Sequence, residues 1–253
     1  MDVFWAFAIV GFLAQLIDGA LGMGFGVISS SILLGQGIAP ALVSASVNAA
    51  KIPTTGTAAF SHFINRNLDR HTVIALCVFG SLGGVVGMSV LTSLKGPWLN
   101  YLVMAYLYFI GVLIIWRGVT GRSPRLLSAS YKRLVGFIGG VVEGIGGSWG
   151  PIVTTSILGS GVESRYAIGS SNFSEFIVSV VVFSAYTVAF AVGHWDVGDD
   201  WRAMAYPVAG LVVGGIPAAL AGGWLARVAP KRPLTVAVGM LAVGIAVYRM
   251  VTG

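Results

Sequence analysis

Six residues able to carry charge or strong hydrogen bonds fall inside apolar stretches of this 253-residue chain, and they fall in pairs. Lys51 and Glu175 stand 124 positions apart, as do Asn48 and Asn172, while Asp18 and Glu143 stand one position off that spacing. A charge at the centre of an apolar span costs at least about 2.5–3.5 kcal/mol, so each must face a partner or water. Lys51 could neutralise an anionic substrate while Glu175 exchanges a proton. Their opposite signs suit a salt bridge between the two equally well. Buried amides need partners, so Asn48 and Asn172 could bind a polar ligand or bond to each other's helix.

The same spacing repeats in a glycine-rich break: Asp18-Gly-Ala-Leu-Gly-Met-Gly-Phe-Gly26 and Glu143-Gly-Ile-Gly-Gly-Ser-Trp-Gly150. Sliding residues 22–48 onto 146–172 without gaps aligns Gly22, Gly26, Ile28, Leu34, Gly35, Gly37, Ser46 and Asn48 with identical residues. Such breaks free backbone groups that lipid cannot satisfy, so they must lie within protein or against a wet cavity. Helix N-termini there offer convergent N–H donors and a positive dipole end, which suits an anion. Ser29, Ser30 and Ser31 follow the first break, and Thr154 and Thr155 follow the second. The expected anion site therefore comprises Gly22, Gly24, Gly26, Ser29, Asn48, Lys51, Gly146, Gly147, Ser148, Gly150 and Asn172. Asp18, Glu143 and Glu175 would repel an anion, which makes them candidates for proton coupling; Asp18 and Glu143 could instead cap freed N–H groups. Phe25 and Trp149 are paired aromatics that would serve as gates or as core.

Enzymatic readings fail on context. Gly146-Gly-Ser148-Trp-Gly150 fits G-x-S-x-G, but no strand-to-helix elbow is expected here, and His194, the only histidine of that half, falls in a loop. Gly22-Met-Gly24-Phe-Gly26 lacks the third glycine of a dinucleotide fingerprint. His62, His71 and His194 have no metal-ligand spacing, so neither a metal nor a cofactor is expected. Cys77 is the single cysteine, which excludes an internal disulfide.

The elements that hold these residues follow from composition. The chain is 56% hydrophobic and 9% charged, with a mean hydropathy of +0.88. Soluble domains carry about 25% charged residues, so this is an all-α, multi-pass membrane protein. Its excess of basic residues sits in short loops and reads as a topology signal rather than a nucleic-acid footprint. The first fifteen residues lack a basic n-region and run directly into the first break, unlike a secretory leader. Apolar stretches fall at roughly 3–34, 40–64, 72–92, 98–117, 134–159, 166–193, 203–226 and 233–250. Trp98, Tyr101, Trp116, Trp195, Trp201 and Trp224 near their ends suit interfacial anchors. A basic linker, 118–133, separates a first repeat, 1–117, from a second, 134–253. Gly80-x-x-x-Gly84 and Gly210-x-x-x-Gly214 recur late in each half and suit close helix packing.

Stretch one is too long for one span and too short for two, and stretch five is likewise interrupted by glycine near its middle. Each is either a split helix or a hairpin dipping to the midplane. If all eight stretches cross once, the basic residues outside the spans divide nine to five between the two sides. If stretches one and five return, the division becomes eleven to three, leaving only Lys95, Arg202 and Arg249 on the side of the acidic 196–200 loop. The positive-inside rule favours the second arrangement. Each half then makes an odd number of crossings, so the halves are inverted repeats, each with a glycine-broken first helix followed by three transmembrane helices. The linker then faces the cytoplasm of a plasma (bacterial inner) membrane, and both termini face outward.

Gly19–Gly26 with Ser46-Val-Asn48, and Gly144–Pro151 with Ser170-Ser-Asn172, together resemble the TauE/SafE sulfite-exporter family over about residues 5–250. Met23 stands where that pattern more often has glycine, and Val27 near where it more often has proline. The resemblance implies a transporter of small sulfur-containing anions such as sulfite, sulfoacetate or thiosulfate. Repeated broken helices in an apolar chain independently point to a secondary transporter with its site at the repeat interface. The expected function is thus proton-coupled export of such anions, with an uncoupled anion channel, or transport of another small anion, as the alternatives. The expected partners are the small anion and the lipid bilayer, with a homodimer left open.

Overall fold

The computed structural model describes residues 2–94, 98–120, 129–159, 162–196, 200–228 and 231–252, and these form helices with no strand among them. The first apolar stretch divides into α1 (Asp2–Leu21) and α2 (Phe25–Gly35), followed by α3 (Pro40–Ile64), α4 (Arg70–Ser93) and α5 (Trp98–Thr120). The fifth divides into α6 (Ala129–Gly146) and α7 (Val153–Gly159), followed by α8 (Ser164–Ala191), a single turn α9 (Asp200–Ala203), α10 (Ala205–Val228) and α11 (Lys231–Thr252). The basic linker is shorter than expected, because 118–120 and 129–133 belong to helices. Its centre, with Arg122 and Arg125, lies outside the described residues, as do Lys95 and Asp199.

By length and composition, α1, α4, α5, α8 and α11 can each cross a membrane. Helix α3 has the length, with 25 residues, but not the apolar composition. Its polar side chains, Ser44, Ser46, Asn48, Lys51, Thr54 and Thr55, are all buried in protein. Trp98, Tyr101 and Trp116 on α5 are exposed, as anchors would be, whereas Trp195 packs on the Tyr186 ring at 5.1 Å.

Glycine produces both breaks. Helix α1 ends where the Gly22 N–H donates to the Asp18 carbonyl at 2.6 Å, and α6 where the Gly147 N–H donates to the Glu143 carbonyl at 2.8 Å. Gly22 and Gly147 have φ of +67° and +66°, a left-handed turn that glycine adopts without Cβ strain. The turning glycines are therefore Gly22 and Gly147, not Gly22 and Gly146 as the gapless alignment pairs them. The step from the turning glycine to the next matched glycine, Gly22 to Gly26 and Gly147 to Gly150, is one residue shorter in the second copy, which also explains the odd spacing of Asp18 and Glu143.

Both split helices are hairpins in path. Lys132 near the start of α6 pairs with Asp69 at 3.4 Å, and the Asp69 N–H donates to Ser170 near the start of α8 at 2.8 Å. Helices α6 and α8 thus begin at the same end of the bundle, and α7 carries the chain back. In the first half, α1 begins where Gly210 of α10 meets Phe4, and Leu42 of α3 lines a cavity with Met204, Ala205 and Val208. Helices α1 and α3 begin together, and α2 makes the return.

Glycines permit the closest helix pairs. Gly80 and Gly84 of α4 lie against Gly140 and Gly144 of α6, with the two helices running parallel. Gly210 and Gly214 of α10 lie against Phe4, Phe7 and Ala8 of α1, again in parallel. Helix α5 runs antiparallel to α11, with Gly111 near Gly239 and Val243 and Gly118 near Thr235 and Val236. Helix α3 runs antiparallel to α8, with Gly56 near Phe176 and Asn67 near Gly169. Without water between helices, such van der Waals contact is the principal attraction.

Asp69 caps α4, accepting from the Thr72 N–H at 3.0 Å and from the Thr72 hydroxyl, and it pairs with Lys132. Burial alone would push its carboxyl up; the Thr72 and Lys132 bonds outweigh that and hold it below its ordinary value. Asp69→Ala should lower stability by about 1 kcal/mol in a thermal-unfolding assay. Because the folded carboxyl is depressed, that contribution is full above the ordinary Asp range and fades as pH falls through the lowered value. The wild-type advantage over the variant should therefore shrink in strong acid.

Candidate functional site

Lys51 occupies the centre of α3 with none of its surface exposed, and each of its three N–H donors is taken. The ammonium donates to Glu143 Oε1 at 2.8 Å and Oε2 at 3.0 Å, to Glu175 Oε1 at 2.7 Å, and to the Gly147 carbonyl at 2.7 Å. Three elements of the second half, α6, the second break and α8, thereby converge on one side chain of the first. The ion pair of Lys51 with Glu175 is present. Glu143, placed at the break as a coupling or capping candidate, is also a direct partner of Lys51. Lys51 is thus engaged by carboxylates rather than open to an anion.

The positions related by the repeat do not carry the same charges. Lys51 corresponds to Glu175 and Glu143 to Asp18, so the counterpart of the Lys51–Glu143 pair is a pair of acids. Asp18 is buried, interacts electrostatically with Lys51 and Glu175, and accepts a long hydrogen bond of 3.3 Å from the Phe25 N–H that opens α2. That N–H is therefore occupied by a carboxylate of the chain itself. At the other break, the Val153 N–H that opens α7 bonds back to the Trp149 carbonyl at 2.9 Å.

The two breaks interlock. A Cβ on Gly26 would overlap the Gly147 carbonyl oxygen and lie 2.8 Å from the Lys51 ammonium, and one on Gly150 would lie 2.7 Å from the Gly22 carbonyl. Ser30 Oγ donates to the Gly146 carbonyl at 2.6 Å, tying α2 to the opposite break. Ser148 bonds the same carbonyl at 3.3 Å, within its own turn. Gly24, with φ +154°, lies against Ile17 and the Asp18 backbone.

The remaining candidates divide between structure and unsatisfied polarity. Asn48 donates to the Ser44 carbonyl at 2.9 Å and, at 3.5 Å, to the Glu143 carbonyl. Its Oδ1 is buried without a partner, as are Asn172 Oδ1, Glu175 Oε2 and the hydroxyls of Ser29 and Ser31. Phe25 packs beside Gly215, and Trp149 packs beside Gly80 with its indole N–H on Ser171 at 3.1 Å. Both rings are fully buried in the core. Thr154 bonds Ser171 at 2.7 Å, and Thr155 bonds back to the Pro151 carbonyl at 2.6 Å.

Four residues escaped the sequence reading. Ser44 and Tyr186 both donate to the Gly144 carbonyl, at 2.9 Å each; Ser171 meets Trp149 and Thr154; Ser179 meets Glu143 Oε1 at 3.3 Å. Ser44, Asn48, Lys51 and Thr55 share one face of α3 at helical spacing, as do Glu175 and Ser179 on α8. That polar stripe was the available signal for both serines. Tyr186 and the Gly147 carbonyl had none.

Removing the ammonium should strand two carboxylates. Lys51→Met is expected to lose about 3–5 kcal/mol of stability, and adding Glu143→Gln should recover part of it. Thermal unfolding in detergent reads both; no recovery in the double variant would contradict the pairing. Gly26→Ala should be destabilising despite its size, because the atom it meets is backbone.

The family model described as "Sulfite exporter TauE/SafE" matches residues 7–249. A protein of Bacillus subtilis (strain 168), described as the probable membrane transporter protein YtnM, is 34% identical over 229 residues, covering 87% of this chain and 74% of that one. No solved structure matches. With its helices apolar enough to span a bilayer and its two glycine breaks joined at a buried charge, this chain belongs to the TauE/SafE family of membrane transporters.

Proposed function

We propose that this protein is a proton-coupled secondary transporter that exports small sulfur-containing anions, sulfite or organosulfonates such as sulfoacetate, across the plasma membrane. The observation that carries this reading is the buried Lys51 ammonium at the crossing of two broken helices. A buried cation, with the Ser29 hydroxyl buried without a partner and Asn48 and Asn172 on the helices that carry Lys51 and Glu175, would suit an oxyanion. The sulfur chemistry comes from the family's description.

The two halves are read as inverted repeats. Antiparallel contact between corresponding helices, α3 with α8 and α5 with α11, supports an axis lying in the membrane plane. The ends of α5 and α6 that flank the linker, and the opposite ends of α1 and α11, support a linker on one side of the membrane and both termini on the other. On that reading the sequence assigns eleven of the basic residues outside the spans to the linker side, which supports a cytoplasmic linker. Alternating access would then come from one half rocking on the other around the Lys51 centre.

Thermal shift of the purified protein with sulfite, sulfate, taurine, sulfoacetate and thiosulfate tests the substrate class. A substrate at 100 times its Kd should stabilise by about 2.7 kcal/mol; no response to any of the five would overturn the assignment. In proteoliposomes, anion accumulation under an imposed pH gradient is expected, and flux indifferent to the gradient would indicate a channel. Cysteines placed at Ser123 and Gly198 should be labelled from opposite sides of the membrane.

A further inference from the structure

We propose that an anion reaches Lys51 only when a proton neutralises Glu175, so that each anion is bound and carried together with one proton. This rests on the anion-transport reading above and fixes the sign of its coupling. The Lys51 ammonium has no free donor: Glu143, Glu175 and the Gly147 carbonyl take all three. An incoming anion must therefore displace one of them.

Charge decides that displacement alone is insufficient. Lys51 is faced by Glu143 from α6 and Glu175 from α8, with Asp18 of α1 in the same electrostatic cluster. Tyr106 of α5 lies close enough to interact with Glu143 and Lys51, and Tyr186 of α8 donates to the Gly144 carbonyl. One cation thus meets three carboxyl groups in a site sealed from solvent. A further negative charge there would be uncompensated in a low dielectric, where unpaired charge is most expensive. Protonating a carboxylate lessens that excess of negative charge and weakens its hold on the ammonium, so that an arriving anion can displace it.

Geometry selects the carboxylate. Both oxygens of Glu143 are bonded to Lys51, and Oε1 also accepts from Ser179. Glu175 has only Oε1 bonded, while Oε2 is buried without any partner. A proton on Oε2 breaks no existing bond and turns an orphaned acceptor into an O–H donor that an oxyanion can accept. Asp18 supports the same choice, since two acids in one buried site favour sharing a proton. The anion then lies between the released ammonium and the Glu175 hydroxyl, and leaves with its proton. For a monovalent anion, an exporter built this way runs outward whenever the inside-to-outside anion ratio exceeds the opposing proton ratio; a dianion with one proton carries net negative charge, so an inside-negative membrane potential adds to its outward drive.

The test is proton counting on the purified full chain in weakly buffered detergent solution at neutral pH. The probes are thiosulfate and sulfoacetate, which stay fully ionised there. Binding should draw about one proton per anion from solution, and affinity should fall about tenfold per pH unit on the alkaline side. Glu175→Gln should abolish the uptake and flatten that pH dependence. Binding with no uptake, or with release, overturns the proposal while leaving the anion site standing. Binding of neither probe, nor of the other three anions, overturns the anion reading itself. Should Glu175→Gln fail to fold, the wild-type proton count decides alone.

Discussion

The bond set of the Lys51 ammonium is the constraint on which the molecule depends. It joins the middle of α3 to α6, to α8 and to the carbonyl of the turning Gly147, so both halves close on one atom. In a bilayer no water relieves a mistake at such a point. The groups around it must be placed by backbone geometry, and the breaks do this: Gly22 and Gly147 turn the chain, while Gly26 and Gly150 let the two turns touch. A Cβ on Gly26 would overlap the Gly147 carbonyl that Lys51 bonds, and one on Gly150 would press on Met23 and the Gly22 carbonyl.

The same constraint accounts for the composition of α3. A helix that must deliver an ammonium to the centre of the protein also carries the polar groups that line its approach, so it loses apolar character and is enclosed by its neighbours. The lipid-facing work passes to α4, α5, α8 and α11, whose exposed faces are rich in large apolar side chains. Glycine-to-backbone packing then compensates for the weak hydrophobic drive between helices in lipid.

Much of this was legible in the sequence because it is written as repetition. Helix extents, the paired breaks, and the buried positions of Asn48, Lys51, Asn172 and Glu175 follow from spacing, apolarity and the cost of stranded charge. The division of basic residues pointed to returning first stretches, a topology that belongs to the proposed reading. What spacing could not show was partner choice. Lys51 reaches across to Glu143, 92 residues away in sequence, and to a backbone carbonyl that has no side-chain signature. The one-residue shorter step from Gly147 to Gly150, against Gly22 to Gly26, was hidden by a gapless alignment, because Gly146 and Gly147 are adjacent. Phe25 and Trp149 read equally as gates or core, and only their burial against Gly215 and Gly80 shows what they touch.

Symmetry with one broken element is the physical theme: two equivalent turns, two equivalent asparagines, and a lysine where the repeat has a glutamate. That substitution creates a centre in which a cation is shared between acids, and sharing is what a proton or an anion can alter. The most direct test is the infrared difference spectrum of the protein with and without bound thiosulfate. A gained protonated-carboxyl band that vanishes in Glu175→Gln is the predicted result. A spectrum in which thiosulfate binds and no carboxyl becomes protonated would contradict the account.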